Sequence, residues 1–305
     1  MHLKEKYGKI LVPMVTPFKA DGELDFDAAA EVARRLVNAG HADSLILSGT
    51  TGEFHTMSFD ERVKLFEVIL ESVGDTIPLI AGTGSASTKE TLELTQAAEE
   101  IGFSLVMVIA PYYAKPNQQE ILHHFATVAD STEVDIMLYN IPIFTGVNID
   151  PATVAELSSI QNIVGIKEEA ELNPKQITAF LNATGDDFLL YCGDDTMILE
   201  SYAQGGEQRI GGIVSGASHL IGRQLRDLIH LFLAGNIEQA AVLQRQYYRL
   251  FKVMGQSRRV NPVALLKEAM KMVGYPAGFP RSPLSAGSPE EIAAVREVME
   301  GLDLL

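Results

Sequence analysis

Short, unbroken apolar runs recur along the chain at intervals of about 22 to 34 residues. They are Ile10–Val15, Ser44–Leu47, Pro78–Ala81, Leu105–Ile109, Ile136–Tyr139, Ile163–Lys167, Phe188–Cys192 and Ile210–Val214. Most are apolar throughout and do not alternate with polar residues, as expected of strands buried on both faces. Amphipathic stretches lie between them. Phe26–Ala39 follows Asp25, a capping residue, and Ser58-Phe59-Asp60-Glu61 has the form of a capping box ahead of Val63, Leu65, Phe66 and Ile69. Thr88–Ile101, Gln118–Ala129, Pro151–Leu157 and Pro174–Leu181 continue the alternation. After about residue 235 the strand runs stop, and Ile237–Met254, Pro262–Val273 and Pro289–Leu302 read as three helices. This order predicts a closed (β/α)8 TIM barrel over residues 1–234, with a C-terminal three-helix appendage over 235–305 packed on it.

Composition narrows the function classes. At 305 residues and 47% apolar content the chain suits one such barrel. No apolar run approaches the length of a membrane span. The charged start, Met1-His2-Leu3-Lys4-Glu5-Lys6, lacks the apolar centre of a secretory signal, so a cytoplasmic location is expected. The single cysteine, Cys192, excludes an intrachain disulfide and a cysteine-based zinc cluster. A formal charge of −16 argues against nucleic acid as a partner. Much of that acidity, such as Glu90, Glu93, Glu99 and Glu100, reads as solvated helix faces. An anionic small substrate stays open, because one lysine or a nest of backbone amides makes a pocket locally positive.

In such a barrel the chemistry lies at the carboxyl ends of the strands. Lys167 ends the sixth run. An unperturbed lysine is neutral in only about one molecule in two thousand at pH 7. Burial pushes its pKa down and makes it an amine nucleophile for carbonyl carbon. The other reading of Lys167 is a snorkelling strand-end lysine paired with an acid. Glu168 follows it, and strand alternation turns Glu168 to the opposite side as a structural residue. Tyr139 ends the fifth run and suits proton transfer. Ser48-Gly49-Thr50-Thr51-Gly52-Glu53 follows the second, offering backbone amides and hydroxyls to a carboxylate or phosphate, or forming a simple tight turn. Pro111-Tyr112-Tyr113 is either packing or chemistry. Asp194 and Asp195 read as capping residues after Gly193, and Ser215-Gly216-Ala217-Ser218-His219 as a small polar loop able to line a pocket. His123 and His124 read as surface residues. No Gly-x-Gly-x-x-Gly follows a strand and no ligand cluster is evident, so neither cofactor nor metal is expected.

Taken in order and spacing, Gly49-Thr50-Thr51-Gly52-Glu53, Pro111-Tyr112-Tyr113, Tyr139-Asn140-Ile141-Pro142, Gly165-Ile166-Lys167-Glu168 and Gly193-Asp194-Asp195 resemble the dihydrodipicolinate synthase/N-acetylneuraminate lyase family. Asn261-Pro262, Lys267 and Arg281-Ser282-Pro283-Leu284 add to the likeness, which runs from about residue 8 to 300. The resemblance implies a class I lyase in which Lys167 forms an imine with pyruvate or a related 2-oxo acid. It implies Tyr139 as general acid/base, Thr50 hydrogen-bonded to it, and Tyr113 continuing the relay into a neighbouring subunit. Thr50 and Thr51 would hold the substrate carboxylate, and the main chain at Gly193 and Val214 would shape the pocket. A homo-oligomer, a dimer of dimers, is implied as well.

One departure bears on the acceptor. Synthases of this family that use aspartate semialdehyde usually carry an arginine where this chain has Phe144. A hydrogen bond to a charged group contributes about 1.5 to 3 kcal/mol, or roughly tenfold to over a hundredfold in affinity. Lys115 is the candidate cation to replace it. The expected activity is that of 4-hydroxy-tetrahydrodipicolinate formation. The alternatives are a 2-keto-3-deoxy sugar-acid or N-acetylneuraminate-type aldolase, a related dehydratase, or a non-catalytic 2-oxo acid sensor. His55, Phe59 and Arg62 depart from the positions that bind feedback lysine in some synthases, so lysine inhibition is not expected.

Overall fold

The computed structural model describes residues 3–169 and 173–305. Eight strands close in chain order into a parallel barrel: β1 (Ile10–Pro13), β2 (Ser44–Leu47), β3 (Leu79–Gly82), β4 (Leu105–Ile109), β5 (Asp135–Asn140), β6 (Ile163–Glu168), β7 (Leu189–Cys192) and β8 (Ile210–Val214). Nearly every strand residue is buried, which is why most of the runs are apolar throughout.

The chain packs as two compact units. One comprises Met1–Lys9 with Leu79–Val214. It contains β3 to β8 and the helices Thr88–Ile101, Gln118–Asp130, Pro151–Leu157, Gln176–Ala183 and Ile198–Arg209. Register within it is set by pairs such as Tyr139↔Lys167 and Lys167↔Tyr191, which align the ends of β5, β6 and β7. Gly165 is required by a close approach, since a Cβ there would stand 2.6 Å from the Leu189 carbonyl oxygen.

The other unit comprises Ile10–Pro78 with Ser215–Leu305. It holds β1, β2 and the helices Phe26–Asn38, Phe59–Val73 and Ser218–Leu233, with Ile237–Met254, Val263–Met272 and Pro289–Glu300 at the C-terminal end. Asp25 caps the first of these helices through the Ala28 amide. Ser58 and Glu61 form a reciprocal capping box on the second.

Several readings change here. The segment Ser215–His219 is not an open polar loop: a helix starts at Ser218, and Ser215, Ser218 and His219 are buried. The His219 ring bridges two main chains, accepting from the Val15 amide through Nε2 (3.1 Å) and facing the Gly216 carbonyl through Nδ1 (2.7 Å). That pairing fixes Nδ1 as the protonated nitrogen. Burial holds the imidazole down at about 4, and so neutral. His124 is not on the surface either. It is 3% exposed, its Nδ1 lies 2.9 Å from the Thr88 hydroxyl, and burial lowers it to about 4. His123, one position earlier, is exposed. Among the described residues no helix is long and apolar enough to cross a membrane.

Candidate active site

In the first unit the carboxyl ends of β5 and β6 bring two side chains together. Tyr139 and Lys167 are register partners, so both point to the same side of the sheet. Both are buried, and the Lys167 ammonium lies over the Tyr139 ring, 3.9 Å from its centre. Glu169, just past β6, places Oε2 4.0 Å from Lys167 Nζ. Gly193 follows β7 and makes room for them. A Cβ there would meet Lys167 Cε at 2.6 Å and Glu169 Oε2 at 2.7 Å. The Gly193 amide is tied to the Glu168 carbonyl at 2.8 Å, so that backbone cannot retreat.

The electrostatics differ from the expectation of a lysine lowered by burial. Burial does push the Lys167 pKa down. The combined negative character of Tyr139, Glu169 and Asp195 outweighs it, and the amine is held above its ordinary value. Glu169 is raised well above the usual carboxylate range, chiefly by burial and against the pull of Lys167. The resting amine is therefore the ammonium form.

Glu168 points the other way, as strand alternation requires. Its carboxyl accepts from the side-chain amides of Asn140 (2.8 Å) and Gln176 (3.0 Å), and burial raises it to about 7. Asp194 caps the following turn through the Thr196 amide at 2.8 Å. Val214 ends β8 and is buried. Tyr113 lies after β4, 92% exposed, on a left-handed backbone with φ of 72°. Phe144 sits in the short helix Pro142–Thr145 and is 40% exposed. Lys115 passes the end of that helix: its Cε is 3.3 Å from where a Cβ on Gly146 would stand.

In the second unit, Thr50 and Thr51 lie half-buried in the turn after β2. The turn is closed by the Glu53 amide on the Thr50 carbonyl (3.1 Å) and the Phe54 amide on the Gly49 carbonyl (3.3 Å). Gly52 lies tight beneath, since a Cβ there would be 3.1 Å from the Met14 carbonyl oxygen.

Two site features escaped the sequence reading. Glu169 carries the same alternation that turned Glu168 away; two positions beyond Lys167, it returns to the lysine side. The ammonium of Lys267, fully buried, is paired with Glu53, and nothing local in the sequence joins residues 214 positions apart.

Comparison with known proteins matches residues 6–301 to the dihydrodipicolinate synthetase family. The chain is 42% identical over 300 residues to the 4-hydroxy-tetrahydrodipicolinate synthase of Heliobacterium modesticaldum, covering 98% of this chain and 97% of that protein. Its fold superposes on dihydrodipicolinate synthase from Bacillus anthracis with a TM-score of 0.90 at 37% identity, covering 96% of this chain and 98% of the other. The lysine-bound enzyme of Cyanidioschyzon merolae gives a TM-score of 0.92 at 36% identity, with 98% and 99% coverage.

Proposed function

Since the chain belongs to the dihydrodipicolinate synthetase family, we propose that it is a class I lyase that joins pyruvate to aspartate semialdehyde through an imine on Lys167. The observation that carries this reading is the buried Lys167 amine stacked 3.9 Å over Tyr139 at the paired ends of β5 and β6. A buried cation placed there without a chemical task is a poor use of a core position.

In this reading Lys167 Nζ adds to the ketone carbon of pyruvate and water leaves. The protonated imine then draws electrons from the neighbouring methyl carbon, which loses a proton and attacks the aldehyde carbon of the acceptor. Hydrolysis frees the product and the amine. Tyr139 gives and takes the protons, aided by Thr50 and by Tyr113 from a neighbouring subunit. The exposure of Tyr113 in the single chain suits that reach. Thr50 and Thr51 hold the 2-oxo acid carboxylate, and the main chain at Gly193 and Val214 bounds the pocket. The enzyme works as a cytoplasmic homo-oligomer, a dimer of dimers. Attack needs the neutral amine, and the resting group is the ammonium. Imine formation is therefore expected to quicken as pH rises.

Phe144 favours a second reading within the same mechanism, cleavage of a 2-keto-3-deoxy sugar acid. It offers an apolar face where a guanidinium would bind the acceptor's carboxylate. Lys115, beside Gly146, supports the first reading by supplying a cation at that helix end. Coupled assays with aspartate semialdehyde and with a panel of 2-keto-3-deoxy acids separate the two. Turnover confined to the semialdehyde supports the synthase; turnover confined to sugar acids refutes it.

A further inference from the structure

The turn that carries Thr50 and Thr51 begins and ends on strained residues. Ser48 and Glu53 are both non-glycine residues on left-handed backbone, each with φ of 56°. Such conformations cost of order 1 to 3 kcal/mol each and persist only where the surroundings enforce them.

Here a buried cation holds each end. At Ser48, the hydroxyl accepts from Arg62 Nε at 2.7 Å. Arg62 is 2% exposed, and its guanidinium lies 5.3 Å over the ring of Phe54, the residue after Glu53. At Glu53, both carboxylate oxygens are taken. Oε1 accepts from the Lys267 ammonium, and Oε2 accepts from the Arg281 amide at 2.8 Å. Lys267 gives its other hydrogens to the carbonyls of Thr16 (2.7 Å) and Phe279 (2.8 Å). The Arg281 guanidinium binds both oxygens of Glu61, at 2.7 and 3.0 Å, and the Thr56 carbonyl at 2.8 Å. Glu61 and Arg62 are neighbours in one helix, so the two ends of the turn are fastened through the same helical start.

A buried ion pair contributes little net stability, and a matched apolar pair often does as well. What this one does contribute is geometry: it anchors the end of the turn at Glu53. We propose that Ser48–Arg62 and Glu53–Lys267–Arg281 are positioning contacts that hold Thr50 and Thr51 in the arrangement that receives a carboxylate. They thereby set the preference for 2-oxo acids over ketones that lack a carboxylate. This rests on the imine reading above.

The test is borohydride trapping at Lys167, followed by peptide mass mapping, with pyruvate and with acetone as titrated ketones. Two variants are compared with the unaltered chain: Ser48→Gly, which keeps a residue tolerant of left-handed φ, and the double change Glu53→Gln with Lys267→Met, which removes both charges together. The pyruvate concentration for half-maximal trapping is expected to rise about tenfold or more in either variant, equivalent to about 1.4 kcal/mol. Acetone trapping stays within about twofold, and circular dichroism is unchanged. If the double variant does not fold, Ser48→Gly decides. Equal weakening for both ketones, or no change for pyruvate in a folded variant, overturns the positioning role. Absence of any Lys167 adduct in the unaltered chain instead overturns the imine reading, and this inference with it.

Discussion

At the scale of single residues, the site turns on how Lys167 is held. Burial alone would lower an amine, and that was the legible part: a lysine ending an apolar run. Tyr139 and the acids beside it reverse the sign, and Glu169 could be placed among them only by following strand alternation past the end of the run. Removing one of those acids should act in a known direction. In Glu169→Gln, Lys167 loses a group that raises it, so the pH at which imine trapping reaches half its maximal rate should move down. A profile unmoved or shifted upward would show that Glu169 does not bear on the amine. Gly193 is equally specific. Gly193→Ala places a carbon against Lys167 Cε and Glu169 Oε2, over a backbone tied to β6. Trapping at Lys167 should fall by at least about tenfold, of order 1 to 3 kcal/mol for overpacking, with the fold retained by circular dichroism.

At the scale of elements, the strands were legible because both of their faces are covered and their polar residues, such as Ser44, Asp135, Lys167 and Glu168, stand at the ends. The helix Ser218–Leu233 was not, although Leu220, Ile221, Leu225, Leu228 and Ile229 carry helical spacing. Its small polar start resembles a loop, and its backbone departs from helical at Ile221. A glycine pair in Ile198–Arg209 hides that helix in the same way, with Gly206 at φ of 60°. Strand β6 carries a pH prediction of its own. Glu168 is raised to about 7 in the fold, whereas the unfolded chain ionises near the ordinary 4.5. Between these values the native state binds the extra proton. The stability it contributes is complete below about 4.5 and is lost as pH rises through about 7. The window corresponds to about 3 kcal/mol at most. Urea midpoints at pH 5 and 7.5 should therefore differ less in Glu168→Gln than in the unaltered chain. An identical difference would mean that Glu168 does not titrate in this range.

At the scale of the whole molecule, fold class followed from the spacing of strands and helices, and family from the motifs at the strand ends. The long-range pairings did not, because Glu53 and Lys267 meet only once the chain is folded. Assembly leaves one structural sign, the exposed Tyr113 on left-handed backbone. If Tyr113 serves a neighbouring subunit, mixing Tyr113→Phe with Lys167→Ala subunits should restore activity in hybrids, up to roughly a quarter of the sites for randomly paired subunits. No gain on mixing and re-association would assign Tyr113 to its own subunit. Regulation is also testable at this scale. With His55, Phe59 and Arg62 at the positions that depart from the feedback-lysine pattern, millimolar lysine should leave turnover unchanged in a steady-state assay; clear inhibition would contradict that.

The proposed chemistry rests on covalent capture of a 2-oxo acid by one amine. Incubation with pyruvate and borohydride, then mass mapping of the digested protein, should place the reduced adduct on the peptide containing Lys167 and nowhere in Lys167→Ala. An adduct on another lysine, or none while pyruvate is still turned over, would contradict the account.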